Sequence, residues 1–233
     1  MYKHFDQEEL HCSTCSMKSP LFGFLRQEEL ELVNASRRRV IFKSGEIIVK
    51  EGAPMSYVLS FTSGIAKVFI QGTGNRRLIL QFLKPTQFLG GPGIYLDNMH
   101  YFSVVAVEDS SVCFIDIHVF KKIIRENPDF AEAFMKELSK NGVFNYDRFI
   151  SLTYKNMHGR IADALLYLHH EIYNERNFRI EISRQDLADF TGMSKDSVIR
   201  TLKELKEDKL IEVENKFITL RDQDRLERLS TFA

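Results

Sequence analysis

The 233-residue sequence has no long apolar run and no excess of charge of either sign. No apolar stretch approaches the roughly 18 residues that a membrane-spanning helix needs, and residues 1–9 are too polar for the core of a signal peptide. We therefore expect a soluble, cytoplasmic protein with no membrane partner. The 32 basic residues are balanced by 32 acidic residues, so a local patch rather than the overall charge must bind any nucleic acid.

Cysteine is scarce, and the chain contains only Cys12, Cys15 and Cys113. Three cysteines cannot all pair with one another, which argues against a disulfide framework. Cys12 and Cys15 form a Cys-x-x-Cys motif, and in an intracellular chain this spacing favours metal or redox chemistry. One hypothesis is therefore a thiol oxidoreductase, although the motif lacks the strand-helix context of that class.

Hydrophobic residues make up 44% of the chain, enough for packed cores. At roughly 150 residues per domain, the length predicts one large unit or two small ones, and the pattern along the chain favours two. Between Val40 and Ile117 the sequence consists of short apolar, β-branched runs separated by turns such as Ser44-Gly45, which indicate antiparallel strands. Many short strands at regular spacing are typical of a barrel or jelly roll.

The pattern changes at Asn127-Pro128, where an N-cap residue and a proline at the first helical position predict a helix running to about Asn156. Residues of this helix recur at alternating steps of three and four, the spacing of a coiled-coil seam: Met135, Leu138, Gly142, Asn145, Phe149 and Leu152. The seam predicts a homodimer, although a glycine within a helix costs about 1 kcal/mol relative to alanine. The alternative is an ordinary helix packed on the barrel.

Residues 183–207 have the pattern of two helices joined by a glycine turn. Ser183 and Asp186 resemble a capping box, in which the hydroxyl of Ser183 accepts from the amide of Asp186 and the carboxylate of Asp186 accepts from the amide of Ser183. Gly192 permits the sharp reversal, and Ser194 caps the second helix. This arrangement predicts a helix-turn-helix.

The second helix of this pair is amphipathic. Val198, Leu202 and Leu205 recur at i, i+4 and i+7 and predict one buried stripe. The opposite face carries mostly charged residues: Asp196, Arg200, Lys203 and Glu207, flanked by Lys195 and Ile199. In a helix-turn-helix the N-terminal residues of the second helix contact base edges in the major groove of DNA.

The residues expected to read bases are Lys195, Asp196, Ile199 and Arg200. Arg200 can donate to O6 and N7 of guanine, and Asp196 can accept from the amino group of cytosine. The residues expected at the DNA backbone are Ser183, Gln185, Ser194, Ser197 and Lys203. The alternative for Asp196 and Arg200 is an i, i+4 ion pair on a solvated helix, which stabilises by only about 0.3–0.5 kcal/mol.

A hairpin follows this helix, because residues 211–213 and 217–220 alternate in polarity across residues 214–216, and it makes the module winged. The chain here resembles the catabolite-activator and fumarate-nitrate-regulator (CRP/FNR) family of bacterial transcription factors. The most specific match is residues 183–202, with the family's Ser-Arg-Gln opening and the Ser-x-Asp-Ser-Val-x-Arg of its recognition helix. The barrel signature is similar at residues 42–47, 51–52 and 64–67.

The resemblance covers almost the whole chain and implies an α+β fold. The expected parts are a cysteine-containing segment over residues 1–20, an antiparallel β-barrel of the cyclic-nucleotide-binding jelly-roll type over residues 21–126, a dimerisation helix over residues 127–156, and a winged helix-turn-helix DNA-binding domain over residues 157–233. It implies a homodimeric, effector-responsive regulator, not an enzyme, that binds double-stranded DNA with inverted half-sites and contacts RNA polymerase. A protein-interaction module without DNA binding is the alternative.

The sequence departs from the family where cyclic AMP would bind. Cyclic-nucleotide-binding members have Glu-Leu after a glycine and a later Arg-Ser or Arg-Thr pair, whereas this chain has residues 88–93 and His100-Tyr101 at those places. The degenerate effector pocket is therefore expected at Gly91, Pro92, His100 and Tyr101. A phosphodiester without a cationic partner would cost on the order of several kcal/mol, so we expect cyclic AMP not to be the effector.

The oxygen-sensing branch of the family suggests another input. Its members hold an iron-sulfur cluster with N-terminal cysteines and one cysteine in the barrel, and Cys12, Cys15 and Cys113 resemble those places, although a third N-terminal cysteine is absent. Three thiolates completed by His11, a carboxylate or an external ligand form one hypothesis, and haem is another. The third is that all three cysteines are unligated thiols.

Overall fold

The structure is a computed structural model that describes residues 11–232, apart from the side chains of Asn75 and Phe232. Residues 1–10 of the predicted N-terminal segment therefore lie outside the described residues. The chain forms two compact units: the described residues up to Ile70 with Phe82–Asn141, and Gln71–Gln81 with the described residues from Gly142 onward. Since this division falls inside the long helix, the predicted domain boundaries at both ends of that helix remain predictions.

The barrel is built on antiparallel strands: β1 (Arg37–Phe42), β2 (Ile47–Val49), β3 (Tyr57–Ser63), β4 (Ala66–Gln71), β5 (Arg77–Leu83), β6 (Phe88–Leu89), β7 (Ser103–Ala106) and β8 (Ser110–Asp116). All of them belong to the first unit except Gln71 and most of β5. They form two four-stranded sheets with the orders β1-β8-β3-β6 and β2-β7-β4-β5. Phe61, Phe82 and Ile79 are among the largest fully buried side chains. The predicted jelly-roll barrel is confirmed, and its short strands follow the β-branched runs of the sequence.

Two helices flank these strands without having been predicted: α1 (Gln27–Ser36) and α2 (Ile117–Glu126). Glu29 accepts from the backbone amide of Arg26 at the start of α1, at 2.8 Å. Asp116 caps α2, since its carboxylate accepts from the amide of His118 at 2.7 Å. Both caps are local signals that the sequence carried, but the strand pattern next to them obscured the helical periodicity.

The long helix α3 (Pro128–Tyr154) begins where the sequence predicted. The side-chain oxygen of Asn127 accepts from the amide of Phe130 at 3.0 Å, which confirms the N-cap. The helix ends two residues before the predicted end, because Asn156 caps the next helix and accepts from the amide of Gly159 at 3.0 Å. Phe130 and Phe134 on its first turns are buried in the core of the first unit.

The second unit continues from α3 with the elements α4 (Met157–Tyr167), a π-helical turn (Leu168–Tyr173), β9 (Asn177–Arg179), α5 (Arg184–Thr191), α6 (Lys195–Glu207), β10 (Ile211–Glu214), β11 (Phe217–Leu220) and α7 (Gln223–Phe232). β10 and β11 form the predicted hairpin, and β9 adds a third strand in the order β10-β11-β9. β9 was not predicted, although the alternation from Phe178 to Ile182 indicates a strand. None of the helices in the described residues is both long and apolar enough to cross a bilayer.

Candidate nucleic-acid interface

The start of α5 is held by the predicted capping box. The hydroxyl of Ser183 accepts from the amide of Asp186 at 3.0 Å, and the carboxylate of Asp186 accepts from the amide of Ser183 at 3.1 Å. The same carboxylate also accepts from the hydroxyl of Ser183 at 2.7 Å. These bonds satisfy amides that the first turn leaves without intrahelical partners, so both ends of the box are confirmed.

The turn between α5 and α6 depends on Gly192. Its φ is 63°, a left-handed conformation that favours glycine. A Cβ atom on this residue would lie 3.1 Å from Cδ2 of Leu152, so the space for a side chain is also tight. Ser194 then caps α6, and its hydroxyl accepts from the amide of Ser197 at 3.1 Å. The short turn and the cap set the direction in which α6 leaves α5.

The two faces of α6 differ as predicted. Val198, Leu202 and Leu205 are 0%, 4% and 1% exposed, which confirms the buried stripe. The opposite face is exposed along the helix: Lys195, Asp196, Ile199, Arg200, Lys203 and Glu207. Because the aliphatic side is packed inside the unit, the charged side is oriented toward solvent.

Asp196 and Arg200 do not form the ion pair that the alternative interpretation requires. Within residues 11–232 neither side chain has a hydrogen bond or an ion pair, and the same holds for Lys195. By contrast, Lys203 and Glu207 approach to 3.6 Å at i, i+4 with both side chains exposed, a pair that contributes little. The N-terminal half of the α6 face therefore keeps its donors and acceptors available to a ligand.

The residues predicted at the DNA backbone lie at the starts of the two helices, apart from Lys203 in the middle of α6. Gln185 donates from Nε2 to Asp189 at 2.8 Å. Ser194 donates its hydroxyl to the hydroxyl of Ser197 at 2.9 Å. These local bonds hold the polar side chains beside the free amides of each helix start, where anions are favoured.

The hairpin and α6 are connected by a lysine. Lys206 donates from Nζ to the carbonyl of Val213 at 3.0 Å, so it braces the wing instead of extending the free basic face. Lys216 near the hairpin turn lies 2.8 Å from the carboxylate of Glu181, and Asn215 has a φ of 54°. The unpaired cations of α6 are thus Lys195 and Arg200 at its N-terminal half.

A buried arginine that the sequence analysis missed supports the end of α5. Arg148 on α3 is 9% exposed, donates to the carbonyl of Phe190 and lies 3.8 Å from the centre of its ring. Burial lowers the pKa of Arg148 to about 10. The signal was a cation within α3 beside the predicted seam, but it indicates packing only once the position of α5 is known.

The predicted seam of α3 is largely exposed. Met135, Leu138 and Phe149 are 58%, 47% and 62% exposed, and Asn145 is also exposed. Leu152 differs, because it is half-buried and its Cδ2 lies near Gly192. Further large apolar side chains on this helix are exposed: Val143, Tyr146, Ile150 and Tyr154. The helix therefore presents an apolar stripe that nothing in the described chain covers.

The predicted effector residues have different surroundings. A Cβ on Gly91 would lie 3.0 Å from Cε of Met55. Tyr101 is 45% exposed and donates its hydroxyl to Asp97 at 2.9 Å. His100 alone among Gly91, Pro92, His100 and Tyr101 lines the pocket of the barrel described below.

Two family models match the chain in tandem: a cyclic nucleotide-binding domain over residues 39–127 and a Crp-like helix-turn-helix domain over residues 159–229. The chain is 26% identical over 227 residues to electron transport regulator A of Shewanella oneidensis, covering 95% of this chain and 90% of that protein. It is 23% identical over 227 residues to the fumarate and nitrate reduction regulatory protein of Escherichia coli K12, covering 95% and 90%. The chain belongs to the CRP/FNR family of transcription regulators.

The fold comparison agrees with this membership. The structure of FixK2 from Bradyrhizobium japonicum superimposes with a TM-score of 0.78 at 22% identity, covering 84% of this chain and 98% of that chain, a likeness of fold. CRP/FNR regulators bind DNA through the helix-turn-helix and act as dimers. Since these relatives are regulators and not enzymes, the oxidoreductase hypothesis is not favoured. The comparisons also do not favour the redox-sensor alternative over an effector-responsive regulator.

The cysteines of this CRP/FNR regulator do not assemble a metal site in the described residues. No three His, Cys, Asp or Glu side chains among residues 11–232 are placed to share a metal ion. Cys12 is buried among Leu21, Phe22 and other apolar residues, and burial raises the pKa of both Cys12 and Cys113. Cys12 and Cys15 also contribute to the raised pKa of Cys113, so the three thiols are neighbours, and a cluster held by Cys12, Cys15 and Cys113 stays a prediction.

Proposed function

We propose that α6 enters the major groove of a specific DNA sequence and reads base edges with Lys195, Asp196, Ile199 and Arg200. The observation that carries this proposal is the contrast between its two faces: Val198 is 0% exposed, whereas the charges of Asp196 and Arg200 are exposed and unpaired. A helix that is anchored by its aliphatic side and keeps free donors and acceptors on the other suits base recognition.

Each base-reading residue has a chemical preference. The planar guanidinium of Arg200 donates to both O6 and N7 of guanine, and the carboxylate of Asp196 accepts from the amino group of cytosine. Ile199, which is 46% exposed, offers an apolar surface to the methyl group of thymine. Lys195 at the first position of α6 reaches either a base or a phosphate. This combination predicts a half-site that contains G·C base pairs.

The DNA backbone is held by a second set of residues in this proposal: Ser183, Gln185, Ser194, Ser197 and Lys203. Hydroxyls and backbone amides at the two helix starts suit phosphate oxygens, because free amides and the helix dipole favour an anion there. Lys203 is 75% exposed on its side chain, and its weak pair with Glu207 yields readily to a phosphate. These contacts set position on the duplex, and the α6 contacts set sequence preference.

The proposed dimer forms through the exposed apolar stripe of α3, with Met135, Leu138, Asn145 and Phe149 in the seam and Leu152 at its edge. A two-fold dimer places two α6 helices in successive major grooves about 34 Å apart, so the operator has inverted half-sites. The barrel acts as the sensor by binding an effector more tightly in one dimer geometry than in another. Cyclic AMP is not the proposed effector.

Two further parts of the proposal concern the setting in which the protein acts. RNA polymerase is a proposed partner. The proposed site of action is the bacterial cytoplasm.

A selection from random duplexes tests the proposal. The parent protein is expected to enrich sequences with inverted half-sites. The double variant with Asp196→Ala and Arg200→Ala loses this enrichment because both base contacts are removed. The matched control carries Asp224→Ala and Arg228→Ala, an exposed pair of the same residue types at the same spacing on α7, and retains it. Equal enrichment by both double variants contradicts the assignment of α6.

A further inference from the structure

The barrel unit contains a pocket of about 350 Å³ among β2, β3 and the end of β8, which we call the β2 pocket. Its lining is mainly apolar and includes Ile48, Val49, Leu59 and Phe114. Its volume falls within the range of roughly 300–1,000 Å³ typical of small-molecule sites. Gly91, Pro92 and Tyr101 do not line it. The β2 pocket therefore shares only His100 with the residues predicted to form the effector pocket.

His100 supplies the buried polar side chain of this pocket. It is 7% exposed, and its Nδ1 is buried without a hydrogen-bond partner among the described residues. The backbone of His100 is held on both sides, since its carbonyl accepts from the amide of Gly52 at 2.7 Å and its amide donates to the carbonyl of Ala53 at 2.9 Å. The ring is thus held beside the pocket by its main chain, with no side-chain hydrogen bond to any described residue.

An unpaired polar group in a buried position costs on the order of 1–3 kcal/mol. Burial lowers the pKa of His100, so the imidazole is neutral near pH 7 and has one donor and one acceptor nitrogen. A ligand with a single polar group is therefore sufficient to satisfy the ring. The apolar walls set the nature of the rest of that ligand.

The lining of the pocket carries little charge. Lys50 is the one charged residue in the described lining, and it is exposed to solvent. Apart from Lys50, the side chains of the described lining are uncharged near pH 7. A carboxylate or phosphate beside the buried ring of His100 would lose hydration, and the solvent-screened charge of Lys50 would offset only part of that loss.

We propose that the β2 pocket binds a small, uncharged, mostly apolar molecule whose hydroxyl group hydrogen-bonds to the imidazole of His100. Such a ligand places its apolar body against Leu59 and Phe114 and its one polar group at the ring. This inference names a chemical class for the effector. The claim that this ligand regulates DNA binding rests on the proposed function. The claim that the pocket binds the ligand does not.

Three probes of nearly equal shape test the chemistry on the full-length protein without DNA: 1-naphthol, naphthalene and 1-naphthoate. Equilibrium dialysis is expected to show saturable binding of one 1-naphthol per chain, with 1-naphthoate at least about tenfold weaker because a buried anion is only partly compensated. No saturable binding of either uncharged probe, or tightest binding of 1-naphthoate, overturns the proposal.

A variant assigns the hydrogen bond. In His100→Phe the preference for 1-naphthol over naphthalene is expected to fall by roughly three- to tenfold, the worth of one neutral hydrogen bond. The control is His118→Phe, which removes an exposed histidine of α2 outside the pocket and leaves the preference unchanged. An unchanged preference in folded His100→Phe contradicts the role of His100.

A second measurement keeps the test independent of whether His100→Phe folds. In the parent protein, the ¹⁵N signals of the His100 ring are expected to shift on titration with 1-naphthol, and those of His118 are not. Absence of a shift in the His100 signals at saturation contradicts the proposal. Failure of DNA selection with the parent leaves these binding results intact, and unchanged operator affinity with bound 1-naphthol overturns only the effector role.

Discussion

At the scale of single residues, Arg200 and Lys203 lie one turn apart on the exposed face of α6 but have different predicted roles. Arg200→Ala is expected to weaken binding to the selected operator by about 1–3 kcal/mol and to relax the base preference at one position in each half-site. Lys203→Ala is expected to weaken binding to operator and scrambled duplexes to a similar extent, because it removes a phosphate contact. For the same reason, the slope of log K against log salt concentration is expected to become smaller by about 1. Fluorescence anisotropy at several salt concentrations measures both effects.

The outcome that contradicts this division is specific. If Arg200→Ala weakens binding to operator and scrambled duplexes equally, Arg200 contacts phosphate and its assignment as a base-reading residue is wrong. Arg228→Ala on α7 serves as the control for loss of a single exposed arginine, because Arg228 has no ion pair within the described residues. Its binding to both duplexes is expected to match that of the parent protein.

Two glycines give opposite predictions for stability. Gly192→Ala is expected to lower the free energy of unfolding by about 1–2 kcal/mol, because φ is 63° and the new Cβ lies 3.1 Å from Leu152. Gly142→Ala on α3 is expected to raise that free energy by up to about 1 kcal/mol, since the helix continues through it and nothing lies within 4 Å. Urea unfolding followed by circular dichroism measures both, and the same sign for both variants contradicts the argument.

At the scale of elements, α3 has two faces with different partners. One face buries Arg148 against the end of α5, and the other exposes Phe149 and Leu138. The first face is complete within the chain, because the guanidinium has both a carbonyl acceptor and an aromatic ring. The second face is incomplete, and burial of its apolar side chains requires another surface.

The dimer proposal makes a prediction for this exposed face. Phe149→Glu is expected to shift the protein from dimer to monomer in sedimentation velocity, because two buried carboxylates replace two apolar rings across the seam. The control Lys136→Glu introduces the same residue on α3 at an exposed position outside the seam and retains the dimer. A dimer of unchanged stability in Phe149→Glu assigns the interface to another surface.

At the scale of the whole molecule, the spacing of the half-sites follows from the two-fold dimer. Insertion of five base pairs at the centre of the selected operator rotates one half-site by about half a helical turn relative to the other. Affinity is then expected to fall toward that of a single half-site. Scrambling the central base pairs of an operator of the original length is expected to have a smaller effect. Equal affinity for the parent and lengthened operators in anisotropy titrations contradicts simultaneous contact by two α6 helices.

Much of the recognition module was predictable, because its signals are local. The capping box of Ser183 and Asp186 involves residues three positions apart, and the buried stripe of α6 repeats with the helical period. Hydrogen bonds and periodicity over this range depend only on residues that are close together in the sequence. The same holds for the cap of Asn127 at the start of α3 and for the hairpin of β10 and β11.

Other features depended on residues far apart in the sequence. α2 follows β8 without a turn, so its periodicity was hidden beside the apolar strand. The role of Arg148 is set by Phe190, which lies 42 residues away, and the pocket beside His100 is formed by strands from separate parts of the barrel. The fold also places Cys113 near Cys12 and Cys15, about 100 residues earlier in the chain, since both contribute to its raised pKa.

The sequence by itself therefore determined the starts of α3, α5 and α6 and the face of α6 that is presented for recognition, because each depends on interactions within a few residues. The tertiary structure decided which polar groups are buried without partners and which apolar face of α3 is left uncovered. Those properties depend on the distance between elements, and packing of the whole chain sets that distance.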